Sequence, residues 1–156
     1  MGTGSVCGCA HQGQSVALSS DGNTAMVGGY FDGYGSGATW VFTRSAGVWT
    51  QQGSKLVGTG AVGAVVASGG RYPGAWQGQS VSLSADGNTA VIGGSIDNNW
   101  IGATWVFRSF AGTWSQEWEA NLSVRIMLDS HKWVIPSRCP PTGGPPSWVA
   151  RATTIS

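Results

Sequence analysis

The amino-acid sequence predicts an all-β fold built from two repeated four-stranded antiparallel sheets. Three observations support this prediction: a long internal repeat, short strand-like segments between glycine-rich turns, and an unusual composition. The chain of 156 residues contains 26 Gly and nine Trp. Strand-forming residues such as Val, Thr and Trp are common in the repeated segments, and no window of useful length shows the apolar spacing of a helix.

The internal repeat relates residues 12–52 to residues 77–117 at a constant offset of 65 residues. About 25 of these positions are identical, which is the self-similarity that marks a repeat protein. A shorter match relates residues 2–6 to residues 58–62 at an offset of 56. The period is therefore about 56 residues, and the second copy carries an insertion of about nine residues within the range 64–76.

Each copy is expected to form four strands, in the first copy over residues 15–19, 24–28, 38–43 and 48–52. Alternation places Val16 and Leu18 on one face of the first strand. The second strand is nearly all apolar, so we expect both of its faces to be buried. Tight turns are predicted at residues 21–23 and 45–47, where glycine can adopt a positive φ. Four antiparallel strands in roughly 40–60 residues make one β-propeller blade.

The third strand and the recurring tryptophans indicate where the core lies. In the third strand, Ala38, Trp40 and Phe42 share one face, and Thr39 and Val41 share the other. The repeat places Trp at equivalent strand positions in the two copies, at 40 and 105 and at 49 and 114. We expect these tryptophans to pack in the core or between neighbouring sheets.

The motif shared by the two copies is G-x-S-V-x-L-S-x-D-G-N-T-A-x-x-G-G, followed by G-A-T-W-V-F and W-x-Q. It resembles the FG-GAP repeats of integrin-α-like β-propellers, in particular those of bacterial proteins with many copies. The family's Phe-Gly start falls on Gln12-Gly13 and Gln77-Gly78, so the Phe is absent. The resemblance covers residues 1 to about 117 and implies an incomplete propeller from an exported or cell-surface binding and adhesion protein.

The same resemblance raises the question of calcium, because family members often bind Ca²⁺ in an Asp-x-Asp-x-Asp-Gly loop. Here the corresponding loops, residues 19–23 and 84–88, keep one carboxylate each, Asp21 and Asp86. Ca²⁺ prefers about six to eight oxygen ligands, several of them from carboxylates. We therefore expect the two aspartates to cap their own turns, and we expect no cofactor.

Three segments are predicted: a first repeat at 1–55, a second repeat at 56–117 and a tail without repeats at 118–156. Met1 aligns with Val57, as if a GTG codon inside a longer gene were read as a start. In a shifted frame, the tail can encode further repeat sequence. We therefore expect an irregular tail that is an out-of-frame reading or disordered; the alternative is a natural, divergent C-terminal segment.

The composition, and the motifs that the sequence lacks, argue against several classes of function. Charged residues make up 10% of the chain and the formal net charge is +1, against about 25% charged residues in an average globular protein. This predicts no nucleic-acid partner, and the lack of a long apolar run predicts no membrane span. The phosphate-loop, nucleophile-elbow and H-E-x-x-H motifs are missing from the sequence, so we expect no enzymatic activity.

The candidate contact residues lie in two loops at equivalent places in the two copies, residues 30–34 and 95–100. Variable loops on a constant scaffold often carry binding sites. The candidates are Tyr30, Asp32, Tyr34, Asp97, Asn98 and Trp100. The partner could be a protein or, as an alternative, a carbohydrate bound by the loop aromatics as in a lectin.

Two further expectations concern the same surfaces. The loop aromatics could instead pack only on each other, and the two loop aspartates are expected to be solvated. An incomplete set of sheets also leaves strand edges exposed, so self-association through these edges is possible.

Overall fold

The computed structural model describes residues 1–6, 9–65, 71–72 and 74–117. The segment 118–156, which contains the predicted out-of-frame tail, lies outside the described residues. The first sheet contains β1 (Ser15–Leu18), β2 (Thr24–Gly29), β3 (Ala38–Ser45) and β4 (Val48–Gln51), in that order. A short antiparallel pair, β5 (Ala64–Val65) and β6 (Arg71–Tyr72), follows in the region of the predicted insertion.

The second sheet repeats the first. It contains β7 (Ser80–Leu83), β8 (Thr89–Gly94), β9 (Ala103–Phe110) and β10 (Thr113–Gln116), again as neighbours in sequence order. The strand registers are equivalent in the two sheets: Val16 pairs with Val27, and Val81 pairs with Ile92. The predicted all-β fold with two four-stranded antiparallel sheets is therefore confirmed, with strand ends shifted by one or two residues.

The turn between the first two strands of each sheet forms as predicted. The carboxylate of Asp21 accepts hydrogen bonds from the Ser19 hydroxyl at 2.6 Å and from the Asn23 backbone N–H at 3.0 Å. Asp86 accepts the equivalent bonds from Ser84 and Asn88. The bonds from Ser19 and Asn23 lower the pKa of Asp21. Both aspartates thus cap their own turns.

Each sheet has two faces, which we call front and back. The front face of the first sheet carries Val16, Leu18, Val27, Trp40 and Phe42, and that of the second sheet carries Val81, Leu83, Ile92, Trp105 and Phe107. The back face of the first sheet carries Ala17, Met26 and Val41, and that of the second sheet carries Ser82, Val91 and Val106. The predicted division of β3 into two faces is correct.

The larger hydrophobic core lies between the back of the first sheet and the front of the second. Met26 and Val41 are fully buried there, together with Ile92, Trp105 and Phe107 of the second sheet. Burying such side chains stabilises a fold by about 1.5–3 kcal/mol each. The two sheets therefore pack front to back, with non-equivalent faces in contact.

The segment that precedes each sheet covers the front-face tryptophan of that sheet. Trp40 donates its indole N–H to the carbonyl oxygen of Thr3 at 2.7 Å, and Trp105 donates to that of Thr59 at 2.9 Å. A Cβ atom on Gly58 would overlap the Trp105 ring, so the close approach requires glycine. The short sequence match between residues 2–6 and 58–62 thus has a structural role.

Two of the predictions about burial are wrong at specific positions. Val91 lies in the apolar second strand of its sheet but is 39% exposed, and Trp49 is 41% exposed although Trp114 packs against the core. The reason is position: in the described part of the chain, the back of the first sheet and the front of the second cover each other. The back of the second sheet, which carries Val91, and the front of the first sheet, which carries Trp49, have no covering sheet there. Trp49 instead lies against the Arg44 guanidinium, which is 5.5 Å from the ring centroid.

Each candidate loop contains one short, irregular helical turn that the sequence did not predict: α1 (Asp32–Gly35) and α2 (Asp97–Trp100). Inside α1, Gly33 and Tyr34 have left-handed backbone angles, as do Asn98 and Asn99 inside α2. Neither turn has an apolar helical period, so sequence periodicity could not reveal it. No helix in the described ranges is long and apolar enough to cross a membrane.

Candidate functional site

The structure brings the two predicted loops together through a residue that lies in neither of them. The Trp76 ring contacts Tyr30 of the first loop, with centroids 5.2 Å apart, and Trp100 of the second loop, with centroids 6.0 Å apart. Both contacts are edge-to-face, an arrangement that aromatic pairs favour by about 0.5–1.5 kcal/mol. The loops therefore form one surface.

His11 extends this surface on the first repeat. Its ring lies 5.2 Å from that of Tyr30 and 5.7 Å from that of Phe31, measured between centroids. We call the set His11, Phe31, Tyr30, Trp76 and Trp100 the aromatic row. His11 and Trp76 occupy equivalent positions in the two copies, directly before Gln12 and Gln77. Neither residue was predicted from the sequence as a site residue, although the equivalent placement of the two in the repeats was a usable signal.

Three residues of the aromatic row, and Tyr34 of the first loop, have a backbone conformation that large side chains rarely adopt. The φ angles of His11, Tyr34, Trp76 and Trp100 lie between 54° and 70°. This left-handed region costs a residue other than glycine about 1–2 kcal/mol. Residues held in such strained conformations cluster at functional sites. Asn would fit these positions with less strain, and Asn99 indeed stands where the first copy has Tyr34.

Of the six predicted contact residues, Tyr34, Asn98 and Trp100 have exposed side chains. Tyr34 is 66% exposed and Trp100 is 55% exposed, whereas Tyr30 and Trp76 are half-buried. The second loop is fixed to the segment before it, because the Asn98 backbone N–H donates to the Val62 carbonyl oxygen at 2.6 Å. The surface thus combines exposed rings with a supported backbone.

Asp32 is buried, not solvated as predicted, and has 2% of its side chain exposed. One carboxylate oxygen accepts hydrogen bonds from the Ser5 hydroxyl at 2.8 Å and the Val6 N–H at 2.9 Å. The other oxygen forms an ion pair with Lys55. Burial raises the pKa of Asp32, but these hydrogen bonds and the charge of Lys55 outweigh it and hold the pKa below its ordinary value.

Asp97 is buried as well, with 7% exposed, so its predicted solvation is also wrong. Its carboxylate accepts a hydrogen bond from the Val62 N–H at 2.6 Å. Among the residues that the structure describes, it has no ion-pair partner, and burial raises its pKa above the ordinary value. Both aspartates are buried because the segments around Val6 and Val62 lie over the loops.

Two surface depressions of the described chain are lined by residues other than the six predicted contact residues. One, of about 300 Å³, is lined by residues of the second sheet such as Ser80 and Thr104. The other, of about 350 Å³, lies between Lys55 and Trp114. None of the six predicted contact residues lines either depression. In the described ranges, no cluster of three His, Cys, Asp or Glu side chains could hold a metal ion.

No protein-family model and no curated protein matches the chain. The resemblance to FG-GAP repeats therefore stays a prediction from the sequence.

Proposed function

We propose that the chain is a non-catalytic binding and adhesion module of the FG-GAP type, which contacts a protein partner through the aromatic row and Tyr34. The observation that carries this proposal is the set of large aromatic side chains held at positive φ. A fold tolerates such strain where the side chain serves recognition. Tyr and Trp are also the residues that most often anchor protein interfaces.

The state of the loop carboxylates favours binding over catalysis. General acid–base chemistry needs a carboxyl group within hydrogen-bond reach of a substrate. Both oxygens of the Asp32 carboxylate are engaged inside the chain, and Asp97 is buried beneath the segment at Val62. The side chains offered to a partner are instead Tyr34, Asn98 and Trp100.

The location of the module is part of the same proposal. FG-GAP repeats resemble this chain in residues 1 to about 117, and that resemblance implies an extracellular or cell-surface protein. The low charge suits contact through apolar and hydrogen-bonding side chains.

A carbohydrate is the second candidate partner, and one local feature favours it. Asn98 and Asn99 lie beside the exposed Trp100 in α2. An aromatic ring with neighbouring amides offers an apolar surface together with hydrogen-bond donors and acceptors. This combination suits a sugar, which presents C–H groups and hydroxyls together.

Parallel binding to a protein array and a glycan array distinguishes the two candidates. The chain is compared with Tyr34→Asn and Trp100→Asn, which remove exposed rings and relieve the strained backbone. Phe110→Asn is the matched control, because Phe110 is an 87% exposed aromatic residue outside the loops. Circular dichroism checks that all variants fold.

Protein signals that fall at least tenfold in Tyr34→Asn and Trp100→Asn, but persist in Phe110→Asn, support the proposal. Glycan signals that fall in Tyr34→Asn and Trp100→Asn but persist in Phe110→Asn support a carbohydrate partner and contradict a protein partner. Signals that all variants retain, or a chain that binds neither array, contradict the proposed surface.

A further inference from the structure

The front face of the first sheet is open where its counterpart on the second sheet is covered. Val16 is 69% exposed and Leu18 is 58% exposed. At the equivalent positions, Val81 and Leu83 are half-buried and pack against the core between the sheets. The same sequence pattern therefore fits beneath a covering back face, and the described chain places none over Val16 and Leu18.

On the back faces it is the second sheet that is open and the first sheet that is covered. Met26 is fully buried on the first sheet, but Val91 at the equivalent position is 39% exposed. Val41 is likewise fully buried, whereas its counterpart Val106 is only half-buried. In the described chain, the front of the first sheet and the back of the second sheet are thus open. A front face and a back face also form the packed contact inside the chain, between the second sheet and the first.

The depression of about 300 Å³ marks a further open contact on the second sheet. Ser80 and Thr104 are among the residues that line it. At the equivalent place on the first sheet, residues 74–78 are packed closely, and the Ser15 hydroxyl donates a hydrogen bond to the Gly78 carbonyl oxygen at 2.8 Å. The first sheet therefore shows what fits such a depression: a segment of the repeat that precedes the first strand.

We propose that a second copy of this chain covers these surfaces in a head-to-tail arrangement. The back of the second sheet of one copy docks on the front of the first sheet of the next copy. Residues 9–13 of that next copy, which are equivalent to residues 74–78, enter the depression. The Ser80 hydroxyl then donates to the carbonyl oxygen of Gly13, as Ser15 donates to Gly78 within the chain.

A second polar contact can also be repeated between copies. Inside the chain, the Trp114 indole N–H donates to the Gln52 side-chain oxygen at 2.9 Å. The equivalent pair between copies is Trp49 and Glu117. Trp49 is exposed, and the Glu117 carboxylate is an acceptor, so it can take the indole hydrogen bond.

This arrangement differs from association through strand edges, because each copy uses two different faces. Such a heterologous contact leaves one face open at each end of any dimer. It therefore continues into a ring or an open chain of copies.

Sedimentation velocity of the full chain tests the proposal with two blocking variants. Leu18→Arg places a charge on the open front face, and Val91→Arg places one on the open back face. Both residues are exposed in the single copy, so neither substitution buries a charge within it. Val48→Arg is the matched control, because Val48 is a 62% exposed apolar residue of β4 on the first sheet's back face, outside the proposed contact.

For the unmodified chain and Val48→Arg, the sedimentation coefficient should rise with concentration. Each blocking variant alone should sediment as a monomer, with association weakened at least tenfold. An equimolar mixture of the two should form a dimer and stop there, because the open back face of Leu18→Arg docks on the open front face of Val91→Arg and both outer faces of that dimer are blocked. A chain that stays monomeric, a blocking variant that still associates alone, or a mixture that forms no dimer overturns the proposal.

Discussion

At the scale of single residues, Asp32 and Asp97 occupy equivalent positions in the two copies but have opposite electrostatic surroundings. Asp32 forms an ion pair with Lys55 and accepts two further hydrogen bonds, from Ser5 and Val6. Asp97 accepts from Val62 and has no cation against it in the described part of the chain. The pKa of Asp32 is accordingly lowered and that of Asp97 is raised.

This difference predicts opposite effects of the same substitution. At pH 7, Asp32→Asn should lower the free energy of unfolding by about 3 kcal/mol, because it breaks a buried ion pair. Asp97→Asn should raise it, because a buried charge without a cation is removed. Urea unfolding of both variants and the unmodified chain between pH 3 and pH 7 measures these differences.

The pH dependence of each effect follows from the direction of the pKa shift. Stabilisation by ionised Asp32 is present above the ordinary aspartate pKa of about 3.9 and is lost as the pH falls through its lowered pKa. Protonated Asp97 favours the folded state below about pH 4, and this advantage is lost as the pH rises through its raised pKa. The gain from Asp97→Asn should therefore vanish at low pH. Effects of the same sign in both variants would contradict the assigned surroundings.

At the scale of elements, equivalent glycines differ in what lies against them. A Cβ atom on Gly28 would overlap the carbonyl oxygen of Gly78, a backbone atom of the second repeat. A Cβ atom on Gly93 would overlap only the Ser80 hydroxyl, which can rotate away, and its next neighbour lies 3.7 Å distant. The difference arises because the segment around Gly78 lies against Gly28 of the first sheet, whereas no equivalent segment lies against Gly93 in the described part of the chain.

We therefore expect Gly28→Ala to destabilise the chain by about 1–3 kcal/mol, the typical cost of overpacking. Gly93→Ala should cost clearly less. Thermal and urea unfolding of the two variants compares them directly, and each serves as the control for the other. Equal costs would mean that the segment around Gly78 does not lie against β2.

The strands and turns could be predicted from the sequence because their signals are local. Alternation fixed the faces of β3, and the Asp21 turn depends on bonds to Ser19 and Asn23, within two residues. Burial could not be predicted in the same way. The surroundings of Asp32 depend on Ser5 and Lys55, more than 20 residues away on either side.

In the candidate site, too, local features could be predicted from the sequence and contacts between distant residues could not. The two variable loops were predicted as contact regions, but their connection through Trp76 was not. That connection depends on how the second repeat packs against the first, and the pattern within one repeat contains no signal for it. For the same reason, alternation placed Val16 and Leu18 on one face without indicating that this face is open.

At the scale of the described part of the chain from residue 1 to residue 117, the central claim is that two equivalent sheets pack front to back. This packing forms the core around Met26 and Ile92 and brings Tyr30, Trp76 and Trp100 into one aromatic row. It also leaves one front and one back face open. The proposed binding surface and the proposed self-association both depend on it.

The free energies of unfolding of Leu18→Ala and Leu83→Ala, measured at a concentration too low for association, test this claim most directly. The two residues are equivalent, but Leu83 packs against the core and Leu18 is 58% exposed. We expect Leu83→Ala to cost about 1–2 kcal/mol and Leu18→Ala to cost less than about 0.5 kcal/mol. Equal costs, or a larger cost at Leu18, would contradict the front-to-back packing.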